Sequence, residues 1–446
     1  MKNKNEDTIV AQATPYGTSA ISIIRISGKN SEQIIRQLTG DKALVPNRVK
    51  YKNIKHNKKI IDDIQYVFYK SPKSYTGEDC VEIFCHGNQI IVEKIKELII
   101  ENGARVADRG EFTKRAYVNG KLDLLQAESI LDIIHGQSEI ELEISRKNRV
   151  GILTKKVGYL RQIMVEILKK VELEIDFVDQ DVEIYAENEI ENQLKNIENA
   201  VNELLEFHDI YKKIKKGIEI CFYGDTNVGK SSLYNLLLNA NRSIVNEEPG
   251  TTRNLVSENL FFNNRNITIY DTAGVRETSS SVEKEGVERT IKKAIEADII
   301  LYVIDASRRE THKSPPFDDV LEKSKTIRII NKIDLVQNID IADNELFYAT
   351  ICTSAIKNQV KDLETIINRL ILEKKEFKNG FSINERQYYC LKETKKYIMN
   401  AKNVISTPDL LSYEIKMVAE SLEMLIGRVN SEEILNAIFE NFCIGK

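Results

Sequence analysis

The stretch that decides the central fold is Gly224-Asp225-Thr226-Asn227-Val228-Gly229-Lys230-Ser231, which directly follows the apolar segment Ile218–Tyr223. It fits the pattern G-x-x-x-x-G-K-[ST], in which glycines let backbone N–H groups wrap phosphates at a helix N-terminus. Lys230 would then reach the β- and γ-phosphates, and Ser231 would reach Mg²⁺. The alternative is a glycine turn before a solvated lysine, but the preceding strand favours the phosphate loop.

Two further motifs follow this loop in the order that a guanine-nucleotide site requires. Asp271-Thr272-Ala273-Gly274 ends a predicted strand, where the carboxylate can join the magnesium shell and the glycine N–H can meet the γ-phosphate. Asn331-Lys332-Ile333-Asp334 follows another predicted strand, and its aspartate can accept hydrogen bonds from two guanine N–H groups that adenine lacks. Thr353-Ser354-Ala355 fits the loop that supports the base. The ordered set resembles the translation-factor-like branch of the Ras-type GTPases and predicts GTP binding.

The residue after the Asp-Thr-Ala-Gly motif narrows the route of hydrolysis. A GTPase that orients its water with a glutamine from this loop would carry it here, whereas this chain has Val275, which cannot polarise water. Hydrolysis therefore needs a cation, another side chain or a partner to stabilise the transition state. Asn227 resembles the asparagine of potassium-dependent GTPases, and the alternative is an asparagine that tolerates a turn.

Length and charge limit the remaining possibilities. The 446 residues suggest about three domains. Lys and Arg number 64 against 68 Asp and Glu, a net charge of −4, so an RNA partner would need a local basic patch such as residues 212–216. The sequence shows no membrane-length apolar run, no signal peptide and no CxxC among its 6 cysteines. These features predict a cytoplasmic protein without a membrane association or a structural metal.

Secondary-structure patterns predict a multidomain α+β fold. Residues 1–118 alternate β-branched strands with glycines, which predicts an α+β domain. Residues 119–216 and 377–446 are largely helical, whereas residues 217–376 alternate strands and helices as in a doubly wound parallel sheet. We therefore predict an α/β domain inserted into a helical domain.

Periodicity predicts individual elements within these domains. Apolar residues spaced by three and four predict one face of a helix-bundle seam at Leu153, Val157, Leu160, Met164, Ile167 and Val171. Strands of the inserted sheet are predicted at Ile218–Tyr223, Ile267–Tyr270, Ile299–Ile304, Ile327–Ile330 and Leu346–Ala349.

Blocks outside the GTPase motifs resemble the MnmE family, also called TrmE, of tRNA-modification GTPases. These blocks are Asp7-Thr8-Ile9-Val10-Ala11, Ile24-Arg25-Ile26-Ser27-Gly28, Tyr75-Thr76-Gly77-Glu78-Asp79, Gly110-Glu111-Phe112-Thr113-Lys114-Arg115-Ala116, Asn119-Gly120-Lys121-Leu122-Asp123-Leu124 and Phe442-Cys443-Ile444-Gly445-Lys446. They occur in family order and include both ends of the chain, so the resemblance is specific.

The resemblance implies an architecture and an activity. The α+β domain would bind folate and dimerise, the helical domain would end in the Phe-Cys-Ile-Gly-Lys motif, and the insertion would be a Ras-like P-loop GTPase. With the FAD-containing flavoprotein MnmG, in a heterotetramer or larger complex, the family adds an aminomethyl or carboxymethylaminomethyl group to C5 of the wobble uridine of certain tRNAs. A tetrahydrofolate derivative, the 5,10-methylene or 5-formyl form, supplies the carbon.

The resemblance also assigns a folate site. Arg25, Glu82, Lys121 and Lys446 fall at the folate-contacting positions of the family. Arginine and lysines suit an anionic glutamate tail and Glu82 suits pterin N–H donors, although each also fits a solvated surface charge. Cys443 would lie near the transferred carbon as a catalytic residue, or would simply pack as a small apolar side chain.

The resemblance further assigns the cations and the hydrolytic water. Residues 246–253 match the potassium-binding loop of the family, where K⁺ would take oxygens from Asn227, Asn246, Glu248 and Thr251. Mg²⁺ would take hydroxyls from Ser231 and Thr252. Glu283 would position the hydrolytic water, and the alternative is a helix N-terminal charge. Asn254 replaces the usual aspartate of the family, which puts any ion pair of that residue in doubt.

Together, the motifs and the resemblance predict the following contacts for GTP: Gly224, Asn227, Val228, Gly229, Lys230, Ser231, Ser232, Asn246, Glu247, Glu248, Pro249, Gly250, Thr251, Thr252, Asp271, Thr272, Ala273, Gly274, Asn331, Lys332, Asp334, Ser354 and Ala355. Two other functions remain open at this point. One is a regulatory switch or assembly factor without one-carbon chemistry, and the other is a folate-dependent aminomethyltransferase fused to a switch.

Overall fold

The computed structural model describes residues 7–176, 186–240, 256–262, 265–271, 292–308, 325–336, 347–357, 361–373, 380–427 and 432–445. The chain forms two compact units. The first comprises Met1–Leu131, Lys147–Leu205 and Asn384–Lys446, and the second comprises Asp132–Arg146 and Glu206–Ile383. The domain boundaries suggested by the sequence stay predictions.

A six-stranded sheet lies in the first unit. Its strands are β1 (Thr8–Gln12), β2 (Ser19–Ser27), β3 (Lys50–His56), β4 (Lys59–Tyr69), β5 (Cys80–Gly87) and β6 (Ala104–Val106). The order is β3-β4-β5-β2-β1-β6, and every neighbouring pair is antiparallel except β1 and β6. Two amphipathic helices, α1 (Ser31–Thr39) and α2 (Gln89–Glu101), bury their apolar faces with the apolar residues of the strands in one core.

Helices from distant parts of the sequence complete the first unit. They are α3 (Glu111–Val118), the start of α4 (Leu124–His135), the end of α5 (Glu139–Arg149), α6 (Ile152–Asp176), the start of α7 (Glu187–Lys216), and the three helices that follow residue 383. All six apolar positions predicted for the seam are buried on α6, which confirms that stripe.

The last three helices pack onto the earlier ones. They are α10 (Glu385–Asn403), α11 (Pro408–Ile426) and α12 (Glu432–Phe439). Helix α11 packs against α6 and α10, and α12 contacts α3. A buried carboxylate joins α4 to α10, because Glu128 accepts hydrogen bonds from Arg386 at 2.6 Å and from Gln387 at 2.6 Å. Within the first unit, helices from before and after the parallel sheet in sequence therefore pack together.

The second unit contains a six-stranded, mostly parallel sheet. Its strands are β7 (Ile218–Tyr223), β8 (Val256–Phe262), β9 (Arg265–Asp271), β10 (Ile299–Asp305), β11 (Thr326–Asn331) and β12 (Ala349–Cys352). The order is β12-β11-β10-β7-β9-β8, and only β8 pairs antiparallel with its neighbour. Helices α8 (Lys230–Ala240) and α9 (Lys361–Glu373) share a core with the apolar strands. This is the predicted doubly wound sheet.

One predicted strand is displaced along the sequence. The prediction was Leu346–Ala349, whereas β12 begins at Ala349. The pairing explains the shift, because Ala349 lies opposite Ile327 of β11 and Ile351 supplies the buried side chain of this strand. In the described part of the chain, no helix has both the length and the apolar character to cross a membrane.

Candidate functional site

The loop between β7 and α8 depends on two glycines. Gly224 has a φ of +138°, and a Cβ added to it would lie 2.2 Å from the carbonyl oxygen of Val303 in β10. Gly229 has a φ of +97°, and its Cβ would lie 2.2 Å from Nδ2 of Asn331. Both the left-handed backbone and the lack of space exclude a side chain at these positions. The loop therefore lies directly against the ends of β10 and β11.

Lys230, the first residue of α8, folds back into this loop. Its Nζ donates hydrogen bonds to the carbonyl oxygens of Gly224 at 2.7 Å and Asp225 at 2.6 Å, and the side chain is buried. Ser231 and Ser232 follow in the first helical turn and are exposed. A buried ammonium beside free helix N–H groups is an arrangement that binds a phosphate chain.

Asn331 joins the loops around the proposed base site. It is fully buried, its Nδ2 donates to the Val228 carbonyl oxygen at 2.9 Å, and its Oδ1 accepts from the Ala355 N–H at 3.2 Å. Its side chain therefore holds the phosphate loop and the 353–355 loop in place.

Lys332 and Asp334 extend this arrangement toward solvent. The Nζ of Lys332 donates to the Asn227 carbonyl oxygen at 2.6 Å and forms an ion pair with Asp305 at 2.7 Å. Oδ1 of Asp334 accepts a hydrogen bond from Ser354 at 2.5 Å. No described residue donates a hydrogen bond to Oδ2 of Asp334, so this oxygen can accept from a guanine N–H.

Asp305 is a residue of this site that sequence reasoning missed. Burial alone raises the pKa of its carboxyl group, but Lys332 and Ser307 outweigh burial and hold the pKa below its usual value. The carboxylate therefore stays ionised and fixes the ammonium of Lys332. The sequence position of Asp305 could have indicated this role. Asp305 is the last residue of β10, and the parallel strand β11 ends beside it at Asn331.

Several predicted residues lie outside the described ranges. They are Asn246, Glu247, Glu248, Pro249, Gly250, Thr251, Thr252, Arg253, Asn254, Thr272, Ala273, Gly274, Val275, Glu283 and Lys446. Asp271 is described as the last residue of β9, where it pairs with Val256.

A second group of predicted residues lies on the sheet of the first unit. Arg25 of β2 is directly opposite Glu82 of β5, and its Nε and Nη2 donate to Oε1 of Glu82 at 2.9 and 2.7 Å. The guanidinium carbon lies 5.1 Å from the centre of the Tyr75 ring and 5.7 Å from that of Phe112. The pair thus combines a charge-assisted hydrogen bond with aromatic contacts.

Lys121 contacts the loop that contains Tyr75. Its Nζ donates to the Pro72 carbonyl oxygen at 3.0 Å, and a Cβ on Gly77 would lie 3.3 Å from its Cγ. Nearby Asn119 donates to the Thr76 carbonyl oxygen at 2.8 Å. The structure therefore brings Arg25 and Lys121 to the same loop from different elements.

The C-terminal tail, residues 442–445, completes this region. Gly110 N–H donates to the Cys443 carbonyl oxygen at 3.4 Å, and Arg25 Nη1 donates to the Gly445 carbonyl oxygen at 3.3 Å. A Cβ on Gly445 would lie 2.3 Å from the Gln12 carbonyl oxygen, so the tail lies tightly against β1. The Cys443 thiol is free and exposed, which does not fit a packing role.

A separate cavity of about 580 Å³ lies between α3 and α12. Charged residues dominate its lining, including Arg105, Arg109, Lys114, Glu111 and Glu440, and none of the three described residues assigned to folate takes part. Glu111 accepts hydrogen bonds from Arg105, Arg115 and the Asp108 N–H. This network holds the end of β6 against α3.

The parallel sheet, the glycine-dependent phosphate loop and the Asn-Lys-x-Asp loop beside it define a P-loop GTPase. Residues 8–121 match the family model described as the GTP-binding protein TrmE N-terminus. Residues 124–443 match the model described as the MnmE helical domain. The chain belongs to the MnmE family of tRNA modification GTPases.

Full-length relatives agree with this assignment. The tRNA modification GTPase MnmE of Fervidobacterium nodosum is 37% identical over 456 residues, covering 100% of this chain and 98% of the relative. That of Thermotoga maritima is 37% identical over 453 residues, covering 99% and 100%. Among solved structures, the G domain of the T. maritima FeoB iron transporter is 21% identical with a TM-score of 0.27, covering 35% of this chain and 98% of that one.

Proposed function

We propose that this chain hydrolyses GTP and, with the FAD-containing flavoprotein MnmG, adds an aminomethyl or carboxymethylaminomethyl group to C5 of the wobble uridine of certain tRNAs. Apart from family membership, the observation that best supports this proposal is the presence of two sites in one chain. The second unit holds the loops suited to a guanine nucleotide, and the first unit holds Arg25 and Glu82 beside the C-terminal tail.

In the proposed GTP site, each described residue has a separate task. Lys230 offsets phosphate charge, Ser231 offers a hydroxyl to Mg²⁺ together with Thr252, and Asp334 reads guanine. Asn331 supports the nucleotide site by holding its loops, because its amide donates one N–H to the Val228 carbonyl oxygen and accepts the Ala355 N–H.

Potassium is the proposed activator of hydrolysis. Asn227 has a φ of +62° and is exposed, while Lys332 holds its carbonyl oxygen, so its side-chain amide is free to offer an oxygen to a cation. Asn246, Glu248 and Thr251 would complete the K⁺ shell, and Glu283 would position the water. GTP turnover should be faster in KCl than in NaCl, and equal rates would contradict the potassium role. Glu283→Ala should lower kcat with little change in GTP affinity.

Folate is the proposed one-carbon carrier. Glu82 suits pterin N–H donors, and Arg25, Lys121 and Lys446 suit the glutamate tail. The partly exposed ring of Tyr75 lies beside the guanidinium of Arg25, so the residues present fit a planar anionic ligand. The bound folate would supply the carbon unit, and the exposed Cys443 would lie beside it.

The proposed assembly is a homodimer that joins MnmG and tRNA in the cytoplasm. The most direct test is complementation of cells that lack the corresponding protein, followed by nucleoside analysis of their tRNA. Restored wobble-uridine modification is expected. Restored growth without modified uridine would favour a regulatory switch instead.

A further inference from the structure

The most concentrated positive charge in the described first sheet lies at its β3 edge. We name residues 42–59 the basic hairpin; they include β3, its turn into β4 and the preceding loop. This segment contains no aspartate or glutamate. Its cationic residues are Lys42, Arg48, Lys50, Lys52, Lys55, Lys58 and Lys59. Because the whole chain has a net charge of −4, the remainder is more acidic than the average suggests.

Only two of these cations are neutralised. Lys50 and Lys52 form ion pairs with Asp41 at 3.3 and 3.2 Å. The other five make no ion pair with any described residue. An uncompensated group of like charges repels itself and does not help the sheet to fold, so its retention needs another reason.

The turn between β3 and β4 places a lysine at a left-handed backbone position, which favours glycine. Asn57 and Lys58 have φ values of +50° and +64°, so both are left-handed. Two-residue hairpin turns of this kind favour Asn-Gly, because glycine adopts the second position without steric cost. A lysine at the tip of the hairpin therefore keeps a charge in solvent at some cost to the backbone.

Edge protection does not explain the whole pattern. Lysines and β-bulges do protect edge strands from pairing with other chains, and β3 has a register shift at Ile54 and Lys55. The charge, however, continues into the turn and into the loop before β3, where there is no pairing edge. Tyr51, 64% exposed, also lies on the same face as Lys55 and offers a stacking surface, with the carboxylate of Asp63 in β4 beside it.

The basic segment noted in the sequence at residues 212–216 is a weaker candidate. Lys215 pairs with Asp132 at 3.5 Å, and Lys216 pairs with Glu219 at 2.9 Å. Acidic neighbours therefore neutralise part of that charge, whereas five of the seven cations of the basic hairpin form no ion pair with a described residue.

We propose that the basic hairpin is a docking surface for the phosphate backbone of tRNA. The inference rests on the proposed tRNA substrate and names the surface of this chain that would contact it. Lysines at the tip and edge would neutralise phosphates without reading sequence, and Tyr51 would stack on an unpaired base.

A charge-neutralised full-length variant tests the proposal. It combines Lys55→Gln, Lys58→Asn and Lys59→Gln, with asparagine chosen because it tolerates the left-handed turn. An unmodified tRNA transcript is titrated at several KCl concentrations. We expect binding roughly tenfold weaker near 0.1 M salt, and the slope of log K against log salt should fall by up to about three.

A matched control removes the same charge elsewhere. Lys155, Lys169 and Lys195 are exposed lysines on α6 and α7, and each is changed to glutamine. The control should bind tRNA like the wild type. Equal weakening by the control would overturn the proposal, because the effect would then be one of net charge.

The substitution Lys58→Gly distinguishes a role of Lys58 in RNA binding from a role in the stability of the turn. Glycine relieves the left-handed position, so thermal stability should stay the same or rise, while the salt slope should fall by about one. Wild-type tRNA binding by both hairpin variants would overturn the proposal. Loss of binding to phosphatidylglycerol vesicles without loss of tRNA affinity would assign the hairpin to a membrane surface instead.

The outcomes also separate this inference from the proposed function. If the wild-type chain binds no tRNA but complementation restores modified uridine, the hairpin assignment fails and the proposed function stands; if neither occurs, both fail. If the wild type binds tRNA and the hairpin variants bind equally well, only the hairpin assignment fails. GTP turnover measured without RNA should be unchanged in each variant, because the hairpin contributes nothing to the GTP site.

Discussion

At the scale of single residues, Gly229 holds the phosphate loop against Asn331. A side chain there meets both a left-handed φ of +97° and the Asn331 amide at 2.2 Å. We predict that Gly229→Ala lowers the free energy of unfolding by about 1–3 kcal/mol and weakens GTP binding by tenfold or more. Thermal unfolding and titration with a fluorescent GTP analogue measure the two effects.

Gly158 provides the matched control for that substitution. It lies within α6, and a Cβ there would meet nothing within 4 Å. Gly158→Ala should raise stability by about 0.5–1 kcal/mol, because alanine loses less backbone entropy in a helix, and GTP affinity should not change. Unchanged GTP affinity in Gly229→Ala would contradict the loop geometry described here.

Glu111 predicts a pH dependence of stability. Burial alone raises the pKa of its carboxyl group, but Arg105 and Arg115 outweigh burial and leave the pKa below its usual value. Because the folded pKa is the lower one, the stabilisation is fully present above the unfolded pKa of about 4.3. It is lost as pH falls through the folded pKa.

We therefore expect Glu111→Gln to destabilise the protein by roughly 1–3 kcal/mol near neutral pH, since Arg105 and Arg115 lose their shared carboxylate and, among the described carboxylates, keep only Asp7 and Glu78, respectively. The difference from wild type should narrow as the pH falls below about 4.3. Urea unfolding across this range measures it. A difference that is constant with pH would contradict the role assigned to the ionised carboxylate.

Sequence motifs predicted which residues lie together in the proposed GTP site. They did not predict the side-chain contacts that each residue makes there. The pattern around Lys230 predicted a glycine-dependent loop between a strand and a helix, because that motif specifies local backbone geometry. That the Asn331 side chain is used on Val228 and Ala355 could not be predicted, because those contacts depend on how three separated loops meet. Asp305 was missed for the same reason, since its partner Lys332 follows another strand, β11.

At the scale of elements, the packing of α6 determines much of the helical part of the first unit. Ile167 lies in the apolar stripe of α6, which packs against α11, and is 1% exposed. We predict that Ile167→Ala lowers the free energy of unfolding by about 2–5 kcal/mol, because it leaves a cavity in a packed seam. Lys169→Ala, on the exposed side of the same helix, should change it by less than about 0.5 kcal/mol. Chemical denaturation compares the two, and equal effects would contradict the seam.

Periodicity predicted some elements and missed others for physical reasons. The stripe on α6 was read correctly because one face of a long helix must be apolar to be buried. Strand β3 was not predicted, since an edge strand rich in lysine has no apolar run. Strand β12 was misplaced because its bounds depend on pairing with β11 rather than on composition.

At the scale of the whole molecule, the two proposed sites lie in different compact units. We predict that Arg25→Ala weakens binding of a reduced folate by about tenfold or more but leaves GTP turnover near that of the wild type. Lys230→Ala should do the reverse, weakening GTP binding and sparing folate binding. Isothermal titration with each ligand measures both.

Arg36→Ala is a suitable control for the folate measurement, because Arg36 is an exposed arginine of the same unit. It should bind folate like the wild type. If neither the wild type nor Arg36→Ala binds a reduced folate, the proposed one-carbon role is wrong. The result would then favour the alternative function, a regulatory GTPase switch without one-carbon chemistry. Loss of GTP turnover in Arg25→Ala would contradict the prediction that the folate site and the GTP site act independently.

The contact between Arg25 and Gly445 has a consequence for biosynthesis. The strand that carries Arg25 leaves the ribosome early, whereas its partner carbonyl is made 420 residues later. A chain interrupted before residue 443 could fold both sheets and the long helices and still lack the exposed thiol. Such a product would retain the described residues of the proposed GTP site but would lack the contact of the tail with Arg25. On this proposal, the folate site is complete only once residues 443–445 have been translated.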